Sequence, residues 1–140
     1  MDIDLSPLNF KFKTKPLLIG GKAKEYYDIR ESGEDIDFVI TSEDYHRLAN
    51  KYPNNLKDLY GDLGVIVHGF EIWKTICQFD YTYLSEKAIE LDAYKIISLE
   101  KLLFLTALGM RKEKYKKDLE LIVDKIFEIK YKNFDASKYK

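Results

Sequence analysis

One cysteine, three prolines, two histidines and a single tryptophan are spread over 140 residues. The lone thiol, Cys77, excludes an internal disulfide; with no histidine or helix start beside it in sequence, it reads as a small packing residue. His46 and His68 stand apart from each other and have no spaced Cys/His partners, which makes a zinc site a poor expectation. The longest apolar runs, such as Leu102 to Leu105, fall far short of the roughly 20 residues that span a bilayer. No basic stretch followed by an apolar one opens the sequence, so the chain is expected to be cytoplasmic, with no membrane partner. The net charge of -1 argues by itself neither for nor against a polyanionic partner.

What is present is an ordinary globular balance, 46% hydrophobic and 34% charged, too rich in aromatics for a disordered chain. At this length a domain buries roughly two thirds of its unfolded surface, so a genuine core is available. The charge is unevenly placed. Residues 1–100 hold 12 Lys and Arg against 18 Asp and Glu, whereas residues 101–140 hold 11 against 6. An acidic front is followed by a basic back. The back reads either as a solvated helix face or as a patch that attracts phosphates.

Along the chain, residues 1–15 read as an N-terminal arm or short helix. Leu17-Leu18-Ile19 is a short apolar run ended by Gly20-Gly21, and Lys22 to Arg30 has helical spacing, which predicts strand, tight turn, helix. Ser32-Gly33-Glu34 breaks that pattern. Asp35 to Ile40 then alternates with period two before becoming apolar, a strand entering the core from an acidic end. Thr41 or Ser42 is an N-cap for a helix through Tyr45, Leu48 and Ala49 that stops near Pro53. Leu63 to Val67 and Phe70 to Ile76 flank His68-Gly69 and predict a hairpin with a two-residue turn. A short helix is expected over Glu86 to Leu91. After Ile96-Ile97, Ser98 opens a helix whose dense leucines predict a central position, and a second helix over 114–130 has Leu119, Ile122, Val123 and Ile126 on one stripe. The two helices are expected to pack as a pair against the sheet. A single domain over 16–130 and a basic tail over 131–140 complete the expected organisation.

Carboxylates two residues apart on a strand project from one face, so Asp35 and Asp37 can approach one divalent ion while Ile36 points the other way. Magnesium uses such oxygen ligands together with water and phosphates. A glycine pair between a buried strand and a helix lets backbone N–H groups come close to a polyphosphate, and Lys22 and Lys24 follow it closely enough to meet phosphates. Trp73 is expected in the core, and Tyr26 and Tyr27 lie close to the glycine turn.

Leu18-Ile19-Gly20-Gly21, then Tyr26-Tyr27 and Arg30, then Asp35-Ile36-Asp37-Phe38 resemble the core motif of the nucleotidyltransferase superfamily, in particular its minimal and abortive-infection-toxin types. The resemblance implies an α/β (α+β) fold: a small mixed β-sheet with flanking helices and a C-terminal helical pair. It further implies that Gly20 and Gly21 bind a nucleotide triphosphate, and that Asp35 and Asp37 hold magnesium, possibly two ions. It also implies that a third carboxylate on a later strand helps activate the acceptor hydroxyl. Glu71 is the first choice for that role, with Asp80 in reserve. Leu99-Glu100-Lys101-Leu102-Leu103, Ala107-Leu108, Arg111 and Lys117-Asp118-Leu119 are similar to the helical segment of toxin-type relatives. Where those relatives often carry lysine this chain has Thr106, and Lys101 or Arg111 are the available substitutes. The expected activity is magnesium-dependent transfer of a nucleoside monophosphate from an NTP to a hydroxyl on protein, RNA or a small molecule. The alternative is an inactive domain of the same fold that binds nucleotide or a partner protein in a toxin–antitoxin or defence pair.

Overall fold

The computed structural model describes residues 2–131 and Ser137, and the chain divides into two units, Met1–Ser98 and Leu99–Lys140. The expected tail at 131–140 lies outside the described residues except for Tyr131 and Ser137.

The first unit contains strands β1 (Leu17–Ile19), β2 (Ile36–Val39), β3 (Leu56–Leu59), β4 (Asp62–Val67), β5 (Phe70–Trp73), β6 (Thr75–Ile76), β7 (Phe79–Asp80), β8 (Ile89–Glu90) and β9 (Lys95–Ile96). Among the described residues, seven of them form one mixed sheet in the order β3-β4-β5-β2-β1-β9-β8, with β2–β5 and β1–β9 parallel and the other pairs antiparallel. Helices α1 (Gly20–Tyr26), α2 (Ser42–Lys51) and α3 (Tyr81–Leu84) connect them.

Register explains both the core and the polar row beside it. Leu18, Phe38, Ile72 and Val65 face one another across β1, β2, β5 and β4, and all four are fully buried. Each such side chain contributes about 2 kcal/mol by leaving water. Because side chains alternate along a strand, the next row must lie on the other face. That row is Ile19, Asp37, Glu71 and Ile66. On the same face Gly64 sits opposite Trp73, where an added Cβ would meet the indole at 2.6 Å, so glycine makes room for the buried ring.

The arm before β1 is part of the fold. Leu8, at the end of a 3-10 turn over Ser6–Leu8, is buried, and its carbonyl accepts a hydrogen bond from the Tyr52 hydroxyl at 2.7 Å. Asp44, fully buried in the first turn of α2, accepts from the backbone N–H groups of Lys13 and Thr14, each at 3.1 Å, and from Arg47 at 2.7 Å. Thr41 caps α2 as expected, its hydroxyl accepting from the Asp44 N–H.

Several expectations need correction. The helix expected over Lys22 to Arg30 starts at Gly20 and stops at Tyr26. Asp28 takes a left-handed conformation there, and the Asp28 and Ile29 N–H groups bond back to the Glu25 and Lys24 carbonyls, a Schellman end. The expected Phe70–Ile76 strand breaks at Lys74, and a second small hairpin, β6–β7, turns at Cys77-Gln78. Cys77 is therefore an exposed turn residue with φ 48°, and not a packing residue. No helix covers Glu86 to Leu91: α3 ends at Leu84, Lys87 turns left-handed, and Ile89-Glu90 pairs with β9. Strand β3 carries no apolar alternation because every one of its residues is exposed at the sheet edge.

The second unit is a helical pair, α4 (Leu99–Leu108) packed on α5 (Glu113–Lys130). In α4 only Leu99, Leu102 and Thr106 are buried, a stripe at i, i+3, i+7; Leu103 and Leu105 are half-buried and Leu108 is exposed, so the helix is less enclosed than its leucine content suggests. Ile122 is the buried member of the α5 stripe. No helix of the described residues is long and apolar enough to cross a membrane.

Candidate active site

Antiparallel pairing of β1 and β2 puts Ile19 opposite Asp37. The residue after Ile19, Gly20, opens α1 with φ +67°, and a Cβ built on it would stand 2.5 Å from Asp37 Oδ2. Glycine is required there twice, by its left-handed backbone and by the carboxylate lying against it. The glycine turn and the acidic strand therefore border one place.

Gly21 faces the loop between α1 and β2. A Cβ there would lie 3.2 Å from Ser32 Cβ and 3.8 Å from the Arg30 guanidinium Nη1. Glu25 holds this loop, its Oε1 accepting from the Ser32 N–H at 3.1 Å and from the Ser32 hydroxyl at 2.9 Å. Those bonds, the backbone one first, keep the Glu25 carboxyl below its ordinary value of 4.5. Arg30 itself donates to the Glu31 carbonyl at 2.9 Å.

Parallel pairing of β2 and β5 sets Glu71 directly beside Asp37 on the same face. Both are half-buried, and Glu71 has no side-chain hydrogen bond or ion pair among the described residues. Asp35 lies one residue before β2 and is exposed. Among the described residues no three His, Cys, Asp or Glu side chains gather closely enough to hold a metal. Asp37 and Glu71 are the two carboxylates that strand register brings together on this face.

Asp80, the reserve carboxylate, is occupied otherwise: it caps α3, accepting from the Tyr83 N–H at 3.0 Å. Lys22 is half-buried and lines a groove of about 460 Å³ together with Glu25, Asp2 and Asp4. Lys24 is 2% exposed, closed to a ligand arriving from solvent. Tyr27 donates to the Ile97 carbonyl at 2.7 Å, so its hydroxyl fastens α1 to the end of β9. Trp73 is buried as expected. His46 and His68 are both exposed. In the helical unit Thr106 is buried, Lys101 half-buried and Arg111 exposed. The sequence reading took Arg30 as part of the motif resemblance and assigned no contact to the Arg30–Ser32 loop. Ser32 was visible only as a break in periodicity, and its bond to Glu25 seven residues earlier has no local signature.

No family model matches the chain, and no curated protein matches it. Among solved structures, the crystal structure of the Megavirus polyadenylate synthase is similar, with a TM-score of 0.53 and 18% sequence identity over 84% of this chain. The chain spans 30% of the length of that protein. At such identity the likeness is one of fold: this chain is a mixed α/β protein whose fold is similar to that of the polyadenylate synthase.

Proposed function

We propose that the chain binds a nucleoside triphosphate at Gly20-Gly21 and transfers its nucleoside monophosphate to a hydroxyl acceptor. The observation that carries this reading is the contact geometry of Gly20 with Asp37, with Glu71 in register on the next strand. The fold is shared with a polyadenylate synthase, whose name denotes the joining of adenylate units. In the reaction the acceptor oxygen forms a bond to the α-phosphorus, the bond from that phosphorus to the β-bridging oxygen breaks, and pyrophosphate leaves. Side-chain-free backbone at Gly20-Gly21 lets the phosphate chain approach, and Lys22 adds positive charge beside it. Asp37 and Glu71, with Asp35 at the strand entrance, are the residues that would hold magnesium, which when bound neutralises phosphate charge. Glu71, half-buried beside Asp37, would take the acceptor proton in this reading.

Calorimetry with ATP, GTP, CTP and UTP, each with and without magnesium, tests the site. Magnesium-dependent binding that weakens at least about tenfold in Asp37→Asn supports it. Label should move to an acceptor from an α-labelled NTP and never from a γ-labelled one. Intact binding without α-label transfer in any acceptor extract would favour a nucleotide-binding domain that has lost catalysis, a reading to which the lack of a three-carboxylate cluster among the described residues lends weight. Absence of nucleotide binding would refute both.

A further inference from the structure

Besides the groove at Lys22, the first unit holds a polar hollow past the far ends of its two central strands. Strand β2 runs from Ile36, beside the glycine turn, to Val39, and β5 runs parallel to it from Phe70 to Trp73. The residues that follow, Thr41 and Ser42 at the head of α2 and Lys74 after β5, line a hollow of about 320 Å³ together with Gln78, Asp80 and Thr82. That volume lies at the small end of ligand pockets. Lys74 stands three residues beyond Glu71, about 10 Å along the strand, so the hollow lies apart from the glycine corner.

Two opposite charges line this hollow without neutralising each other. Lys74 is half-buried and makes no side-chain hydrogen bond or ion pair among the described residues. Asp80, more open, spends Oδ1 on the Tyr83 N–H at the head of α3 and likewise makes no ion pair among the described residues. We propose that the hollow binds a small zwitterion of the α-amino-acid type, its carboxylate on Lys74 and its ammonium on Asp80, with a polar side chain among Ser42, Gln78 and Thr82. This does not depend on the nucleotide reading above.

The walls are held without a ligand. Asp62 accepts from the Thr75 hydroxyl at 2.7 Å and from the Cys77 and Gln78 N–H groups at 2.8 and 2.9 Å, which pins the turn that carries Gln78. The bond to Tyr83 fixes the Asp80 carboxylate, and Thr41 accepts from the Asp44 N–H, so its own O–H can still donate. A half-buried ammonium has given up part of its hydration, and a carboxylate that stays out of ion-pair reach does not replace it. A ligand bearing both charges satisfies the two groups at once. A simple anion meets the wrong charge at Asp80, and a simple amine meets it at Lys74, so the pair selects against both.

The experiment is calorimetry on the full chain with serine, threonine, asparagine and glutamine at millimolar concentration, alongside N-acetylserine, which lacks the ammonium, and serine amide, which lacks the carboxylate. At least one free amino acid is expected to bind, and blocking either of its charges should weaken it about tenfold or more. Lys74→Gln and Asp80→Asn should each cost a similar factor; asparagine keeps the cap on α3, and thermal unfolding checks that both variants are folded. N-acetylserine should bind Asp80→Asn no more weakly than it binds wild type, since the charge removed has no ammonium to meet. No binding by any of the four amino acids overturns the proposal, and so does a blocked form that binds wild type as tightly as the free one, a result that needs no variant. Unchanged affinity in a folded Lys74→Gln protein overturns it as well, because the ligand then sits elsewhere.

Discussion

Replacing Gly20 by alanine adds one methyl group at the point where the chain has least room for it. The backbone at φ +67° costs an L-residue about 1–2 kcal/mol. The new Cβ would start 2.5 Å from Asp37 Oδ2 and 3.3 Å from its Cβ, so the carboxylate must swing away or the strand must shift. Accommodating such overpacking costs about 1–3 kcal/mol. Together the loss is about 2–5 kcal/mol, read as a lower urea midpoint at unchanged slope. Because the displaced group is Asp37, magnesium-dependent nucleotide binding should fall in parallel even at temperatures where the variant remains folded. Gly33→Ala is the control, since nothing lies within 4 Å of its position, and a change within about 0.5 kcal/mol is expected. Gly21→Ala separates the two effects: its backbone is unstrained, the alanine gains helix propensity of about 1 kcal/mol, and the only crowding is Ser32 Cβ at 3.2 Å. Its stability should therefore stay near wild type. A Gly20→Ala protein as stable as Gly33→Ala, with wild-type affinity for magnesium-ATP, would refute the reasoning about both strain and site.

Gly64→Ala places a methyl 2.6 Å from the indole of Trp73, which is buried; a loss of about 1–3 kcal/mol and a changed tryptophan fluorescence maximum are expected, with nucleotide binding retained. The Glu25 carboxyl is held below its ordinary 4.5 by Ser32, so its bond to the loop is fully present above pH 4.5 and is lost as pH falls through the lowered value. Amide exchange at Ser32, compared at fixed intrinsic rate, should rise across that acid window in wild type and be high throughout in Glu25→Ala, which has no acceptor there.

Much of the sheet could be read from local pattern. The apolar run of β1, the alternation in β2, the capped α2 and the His68-Gly69 hairpin all depend on neighbours a few residues apart, and each is present. What escaped was set by distant partners. Strand β3 exists because β4 offers it a ladder, not because Leu56-Lys57-Asp58-Leu59 has a buried face. The Ile89-Glu90 pair became a strand because β9 was there to receive it, although the flanking residues suit a helix. Residues 1–15 read only as an arm or short helix because Asp44, which clasps them, lies some thirty positions later. At the site, the motif resemblance linked Asp37 with the glycine turn, and the hairpin pattern put Glu71 on a following strand. The pattern left open that Asp35 falls outside β2 and that Asp80 is spent on a cap. Nor could it separate the buried Lys24 from the accessible Arg30 loop, because helical position does not say which side neighbouring elements cover.

The two parallel pairings impose an order on the making of this protein. Strands β3, β4 and β5 are consecutive and pair with one another, so they need no later segment to close, and β2 can then lie along β5. Strand β1 is among the first segments synthesised, yet one of its two edges waits for Lys95-Ile96, almost the last residues of the first unit. Until they arrive, Leu17 to Ile19 is an uncovered apolar margin directly before the glycine turn. A chain interrupted before Lys95 would therefore carry its nucleotide corner on a bare sheet edge, the kind of edge through which incomplete chains stick to one another.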